Sequence, residues 1–375
     1  MPKTNDKIKK AKATMAKVQR ESNGTVTRLK GKWVEKGLPE LSGKGEELVK
    51  NKLAAMRDEV IKRMEAGVLP WRNPAQRSVQ DTGSSPKPTK GNVTYTANPK
   101  SVASGNPYFG INNIRLSLVT ALLEYTSNWY GTVPTWQHLH KDLMPKQGSV
   151  GMPVYMWVQK YTTDDNGKEI EDGGFFKTHN VFNLDDIQAT SPEAQKFLDD
   201  LRAKDTDEIK VTVIPGKSVE IAGAEKEYCP ELDNLPRRLG VKVKQGEFSH
   251  GSFCVADKTI RMPWFNECQM KGWYSTLIHE CVHSTGIELK RDLCGQFGSD
   301  SYAREELVAE LATLTVMGVL GIVDWEGQDS INNSTAYLSH WLKAMKAEPA
   351  YLENVMADAG KASRKIIEAL KVEEE

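Results

Sequence analysis

The sequence lacks an apolar run long enough to cross a bilayer, and its first residues carry no apolar core of the signal-peptide kind. Both absences point to a cytoplasmic protein with no membrane partner. It also lacks a Cys-x-x-Cys pair. The five cysteines (229, 254, 268, 281 and 294) are scattered and odd in number, which excludes a disulfide scaffold and reads as reduced thiols. Net charge is absent too: 50 basic residues balance 50 acidic ones, so no bulk electrostatic pull toward nucleic acid follows from the total. The balance is uneven along the chain, since residues 1–36 hold eleven Lys or Arg against three acidic residues. Internal repeats are missing. What remains is a composition of 39% apolar and 27% charged residues over 375 positions, enough for two globular domains with separate cores.

Against this background one chemical signature stands out, Leu277-Ile278-His279-Glu280-Cys281-Val282-His283-Ser284-Thr285-Gly286. Histidines four apart on a helix share a face, about 6 Å from each other, and can grip one ion. Glu280 follows the first histidine and can reach a water on the same ion. This is the His-Glu-x-x-His arrangement of zinc hydrolases, in which the glutamate serves as general base. The apolar run Trp273–Ile278 predicts a half-buried helix, and Gly286 its C-terminus.

Catalytic zinc takes three protein ligands and leaves a position open. The third is expected from a second helix, Arg304 to about Met317, whose Glu306 and Glu310 share a face while Glu305 is turned about 100° away. Glu306 is the expected ligand. Glu310 then orients a ligand histidine, or is itself the ligand if the register slips. Tyr274, Tyr302 and His250 are candidates to stabilise an oxyanion at the open position. The expected cofactor is one Zn2+ per chain, with Mn2+ or Co2+ as alternatives.

The remaining sequence divides into a basic arm (1–44), an N-terminal domain (45–204) and a C-terminal domain (205–375). The N-terminal domain opens on an amphipathic helix, Glu46–Ala66, followed by a polar linker, Gln76–Gly91, and a second helix, Ile114–Tyr125. Strands follow at Val154–Tyr161 and Phe175–Asn183. Aromatic residues interleaved with cations, among them Phe175, Lys160 and Lys177, have the make-up of a single-stranded nucleic-acid surface, although alternating aromatics in strands also build cores. The C-terminal domain is expected to run through a strand at Ile209–Ile214, a helix near Pro230–Leu239 and short strands at Val241–Lys244, Ser252–Val255 and Thr259–Met262. The metal helix and two closing helices over Ala336–Leu370 complete it. The fold class expected is α+β: a mixed α/β domain followed by a zincin-like domain whose metal helix packs on a small sheet.

Several blocks in fixed order carry a resemblance. They are Glu65-Ala66-Gly67-Val68-Leu69-Pro70-Trp71, Tyr108-Phe109-Gly110-Ile111-Asn112, Thr135-Trp136-Gln137, Val181-Phe182-Asn183, Asp257–Pro263, the His279–Gly286 motif, Glu305–Glu310 and Tyr337–Leu342. Together they resemble the ArdC-type antirestriction proteins of plasmids and phages over residues 46–370. That resemblance implies an N-terminal single-stranded-DNA-binding domain, a zincin-like metallopeptidase domain, and protection of incoming mobile DNA from host restriction. It suggests Trp71, Tyr108, Phe109, Asn112 and Trp136 as DNA contacts. A zinc endopeptidase that cleaves a host DNA-associated protein, such as a component of the restriction system, is the alternative reading.

Overall fold

The computed structural model describes residues 45–71, 99–163, 169–207, 217–221, 224–265, 270–320 and 328–370. The basic arm, the polar linker, the strand expected at Ile209–Ile214 and Cys268 lie outside the described residues. In chain order, α1 spans Gly45–Glu65, β1 Lys100–Ser101, α2 Ile111–Leu122, β2 Trp129–Gly131, α3 Val133–Leu139 and β3 Leu143–Pro145. Next come β4 (Met152–Thr163), β5 (Glu169–Asn183), β6 (Ile187–Ala189) and α4 (Pro192–Asp207). They are followed by β7 (Lys217–Ile221), β8 (Ala224–Tyr228), α5 (Pro230–Arg238), β9 (Lys242–Gly246), β10 (Ser252–Cys254) and β11 (Thr259–Pro263). Four helices close the chain: α6 (Met270–Glu288), α7 (Asp300–Leu320), α8 (Gln328–Ala347) and α9 (Tyr351–Leu370).

These elements form two compact units that alternate along the chain. Described residues 45–53, 99–108 and 125–207 make the first; 54–71, 109–124 and 217–370 make the second. Two stretches before residue 204, including all of α2, therefore group with the metal helix. The architecture is α+β in both.

In the first unit the sheet order is β1-β2-β5-β4. The long β4–β5 hairpin is antiparallel, with Val158 opposite Phe175 and Met156 opposite Lys177. Thr132 starts α3 by accepting the Thr135 amide, and Pro134 adds a preset φ in the first turn. That helix delivers Trp136 into a core with Val102, Trp129, Leu143, Leu184, Ile187 and Leu198. A large buried side chain there contributes about 1.5–3 kcal/mol. Asn183 ends β5 and caps the short turn that follows, accepting from the Asp185 amide at 2.9 Å.

The second unit is helical around a small sheet of order β10-β11-β9. β11 runs parallel to β9 and antiparallel to β10. Pro263, at the end of β11, accepts from the Trp273 indole at 3.0 Å, which ties the metal helix α6 to the sheet. α7 is buried on nearly every side from Ala303 to Gly318, the pattern of a central helix rather than an amphipathic one. α9 buries a stripe at Leu352, Val355, Met356, Ala359 and Ile366. Gly360 lies on that stripe, where a Cβ would come within 2.5 Å of the Ile111 amide nitrogen; only glycine lets α2 and α9 approach so closely. Arg115 of α2 is fully buried and pairs with Glu353 of α9. Among the described residues no helix is long and apolar enough to cross a membrane.

Gly286 was expected to end the metal helix, but α6 continues to Glu288. Its role is close packing: a Cβ there would meet the Leu293 side chain at 2.6 Å.

Candidate metal centre

α6 presents His279 and His283 toward each other, their Nε2 atoms 3.0 Å apart. Glu306 of α7 comes between them, with Oε2 3.4 Å from His279 Nε2 and Oε1 3.6 Å from His283 Nε2. Ligand atoms about 2 Å from a common ion in tetrahedral array stand roughly 3.3 Å apart, so these separations fit a divalent cation. Among the described residues this is the group of three whose donor atoms all fall within 4.8 Å of one another.

The donor set is also prepared for an ion. His283 Nδ1 lies 3.1 Å from Glu305 Oε1, a contact that fixes the ring and turns the Nε2 lone pair toward His279 and Glu306. Glu305 is held in turn by Arg291, whose Nε is 2.9 Å from Oε2 and whose Nη2 is 2.9 Å from Oε1. Arg291 also donates to the carbonyl of Val282 at 2.7 Å and to the Thr285 hydroxyl at 3.0 Å, both on the metal helix. Burial opposes charge on His283, but the Glu305 hydrogen bond and the charges of Glu306 and Glu280 outweigh it and lift the imidazole to about 9. Burial likewise opposes charge on Glu306, yet the His279 hydrogen bond and both imidazoles hold its carboxyl at about 2. The carboxylates around these imidazoles therefore favour positive charge at this cluster.

Glu280 is 6% exposed, and burial raises its proton affinity while the neighbouring histidines oppose the rise. Gly251 leaves room for it: a Cβ at that position would press on the Thr276 methyl and lie 3.3 Å from Glu280 Cγ. His250, next along, is exposed and close enough to favour the ionised form of Glu280; its Nδ1 is 2.8 Å from the Ser249 hydroxyl. A divalent ion in such a site polarises a carbonyl as a Lewis acid and acidifies bound water. A carboxylate beside it, buried and outside the ligand set, is placed to take and return a proton.

The expected residues distribute unevenly around this centre. His279, Glu280, His283 and Glu306 come together. Glu310 accepts from the Trp71 indole at 2.8 Å. Glu305, which the sequence reading turned away from the site, is the carboxylate on His283, and Arg291 was not anticipated. A signal was available, because an Arg eight residues past His283, just beyond the helix end, can fold back to the carbonyls of its last turns. Tyr302 stands one turn before Glu306 on α7, and burial together with the Glu306 charge holds its phenol protonated. Tyr274 instead donates to Asp233 at 3.1 Å and accepts from the Cys229 amide, so it is occupied elsewhere.

The expected DNA contacts also separate. Trp136 is fully buried, its indole donating to the Phe182 carbonyl at 3.3 Å, and Asn112 is buried on α2. Neither has a face to offer a base; both serve their cores, because density of aromatics in sequence does not tell platform from core. Tyr108 and Phe109 are half-buried. On the β4–β5 hairpin Phe175 is 47% exposed, and Lys160 Nζ stands 5.7 Å above its ring.

Comparison with known proteins matches the two ends of this chain separately. Residues 50–182 match the N-terminal domain of anti-restriction factor ArdC, and residues 230–357 match a zincin-like metallopeptidase. The chain has the two-domain architecture of ArdC. It superimposes on crystal structures of antirestriction ArdC from plasmid R388, metal-free and Mn(II)-bound, with a TM-score of 0.55 for each. Identity is 24% and 23%, over 85% of this chain and 97% and 98% of those. This chain is also 28% identical over 326 residues to DNA primase TraC of Escherichia coli, covering 81% of this chain and 19% of that protein. A further match is the uncharacterized protein y4eC of Sinorhizobium fredii, 24% identical over 302 residues and 83% covered. The chain thus spans about a fifth of the TraC it matches, and His279, His283 and Glu306, the three residues that could hold a metal ion, lie inside the zincin-like match.

Proposed function

We propose that this chain is an antirestriction protein that binds single-stranded DNA and carries a working zinc-dependent peptidase centre. His279, His283 and Glu306 hold the ion, Glu280 is the general base, and Glu305 with Arg291 orients His283. Glu310 supports the same face of α7. The carrying observation is the count and spacing of ligands: three donors within 4.8 Å, with a buried, non-ligating Glu280 alongside. A closed structural zinc site takes four protein ligands and has no use for such a carboxylate. Support for the DNA role comes from the ArdC N-terminal match and from the Lys160–Phe175 pair, since a ring with a cation above it suits a base and its phosphate. Tyr108 and Phe109 are further contacts. The setting is the host bacterial cytoplasm.

The second reading, a peptidase acting on a specific host DNA-associated protein with the N-terminal domain as recruiter, draws on the same Glu280 geometry. Glu280→Gln tests whether protection requires the peptidase chemistry. The variant keeps metal and fold but lacks the base, so incoming DNA should lose protection in a restriction challenge while retention on a single-stranded oligonucleotide stays salt-dependent and unchanged. Full protection by the variant would rule out proteolysis as the means. Flat or absent oligonucleotide retention across a salt series would remove the DNA role.

A further inference from the structure

Trp71 stands where the resemblance suggests a base-stacking ring, yet its polar edge is engaged inside the second unit. The indole Nε1 donates to Glu310 Oε1 at 2.8 Å, and Glu310 is buried. The ring meets Trp341 edge to face, centroids 5.9 Å apart. Trp341 is itself fully buried and donates to the carbonyl of Ala303 at 2.6 Å. Tyr337 continues the series, 6.1 Å from Trp341 and 5.7 Å from Tyr302, which stands one turn before Glu306 on α7. The positions gripped on α7 are therefore 302, 303 and 310, and they bracket Glu306. On a helix these fall within an arc of about 100°. One face of α7, the one that carries the metal-binding carboxylate, is clasped by four rings drawn from α7 itself, from α8 and from the segment after α1.

We infer that Trp71 is a positioning residue for the metal centre: its N–H on Glu310 and its ring on Trp341 fix the turn of α7 that presents Glu306. The inference rests on the metal-site reading above. A ligand oxygen must be held to within about half an ångström to contribute fully, and partners outside the ligand set do that holding. An indole that stacked on a base instead would withdraw a donor from a buried carboxylate. Residue 71 lies inside the stretch that matches the ArdC N-terminal domain, whereas residues 303–310 lie inside the zincin-like match. The support for the ion thus comes from sequence outside the peptidase match.

The test uses the full-length protein, with Trp71→Phe to keep the ring and remove the N–H, and Glu310→Met to remove the acceptor while keeping the length. Zn(II) affinity is measured by competition with a chromogenic chelator, and ligand geometry by the visible absorption of the Co(II) form. Expected for both variants is a loss of affinity of about tenfold or more and an altered Co(II) band, with no further loss in the double variant. Oligonucleotide retention by Trp71→Phe should equal that of wild type. A folded Trp71→Phe with wild-type affinity and Co(II) spectrum overturns the inference, whether it melts earlier or not. Reduced oligonucleotide retention with unchanged metal binding overturns it in favour of a DNA contact. If the wild-type protein takes up no metal, the metal-site reading falls and this inference with it; if wild type binds and the variant matches it, only the inference falls.

Discussion

Arg291 grips Glu305 through two nitrogens, Nε to Oε2 and Nη2 to Oε1 at 2.9 Å each, with the arginine side chain 3% exposed. Two charges so far out of water are stable only as a pair, and removing one leaves the other uncompensated. Arg291→Met should therefore cost about 3–5 kcal/mol in urea denaturation of the metal-free protein, well above a typical surface substitution. A loss under 1 kcal/mol would mean that Glu305 finds another partner.

Glu305→Gln tests the next link. The amide keeps the volume but weakens the bond to His283 Nδ1, so the ring loses its fixed orientation. Metal affinity should fall about 10–100-fold. In wild type, chelation should lower Tm and excess Zn2+ restore it, since ligand at a thousand times Kd contributes about 4 kcal/mol. That chelator-sensitive increment should shrink in Glu305→Gln and vanish in His279→Ala. An increment equal in all three would place the bound ion elsewhere.

Core and platform aromatics should separate cleanly. Trp136→Ala removes a fully buried indole and should cost about 3–5 kcal/mol of stability. Phe175→Ala removes an exposed ring and should leave stability within about 0.5 kcal/mol, while weakening oligonucleotide binding by about 1–3 kcal/mol. Unchanged binding in a Phe175→Ala, Lys160→Ala double variant would move the DNA contact off this hairpin.

Thiol labelling reads burial directly. Cys294 is exposed, whereas Cys229 and Cys281 are buried. Burial and the nearby Glu231 charge push the Cys229 thiol up to about 11, only partly offset by its hydrogen bond to the Leu232 backbone. Iodoacetamide at pH 8 should therefore modify Cys294 within minutes and spare Cys229 and Cys281 until the protein unfolds, as read by peptide mass spectrometry. Protection of Cys229 should decline as pH approaches 11, where the thiolate forms.

The grouping of His279, His283 and Glu306 was legible because its geometry is local. Two histidines four apart on an apolar helix fix their own geometry, and Glu306 had to come from a helix long enough to return. The elements also followed period and punctuation closely: the helix read as Pro230–Leu239 is Pro230–Arg238, and the strand read as Thr259–Met262 is Thr259–Pro263. Glu305 escaped because helix phase alone measures which residues share a face, not how far a glutamate reaches across to a neighbouring helix. Trp136 and Asn112 escaped for a related reason: identity says what a side chain can do in water, and only packing decides whether it meets water. The allocation of α2 to the unit with the metal helix had no local signal, since its apolar run fits any core.

The pairing of Arg115 with Glu353 joins positions 238 residues apart in the chain. At 5–20 residues per second, α2 leaves the ribosome roughly 10–50 s before α9 exists to receive it. During that interval the segment that becomes α2 carries its one charged side chain with Glu353 not yet made. The guanidinium that ends as an internal strut begins as a charge solvated by water.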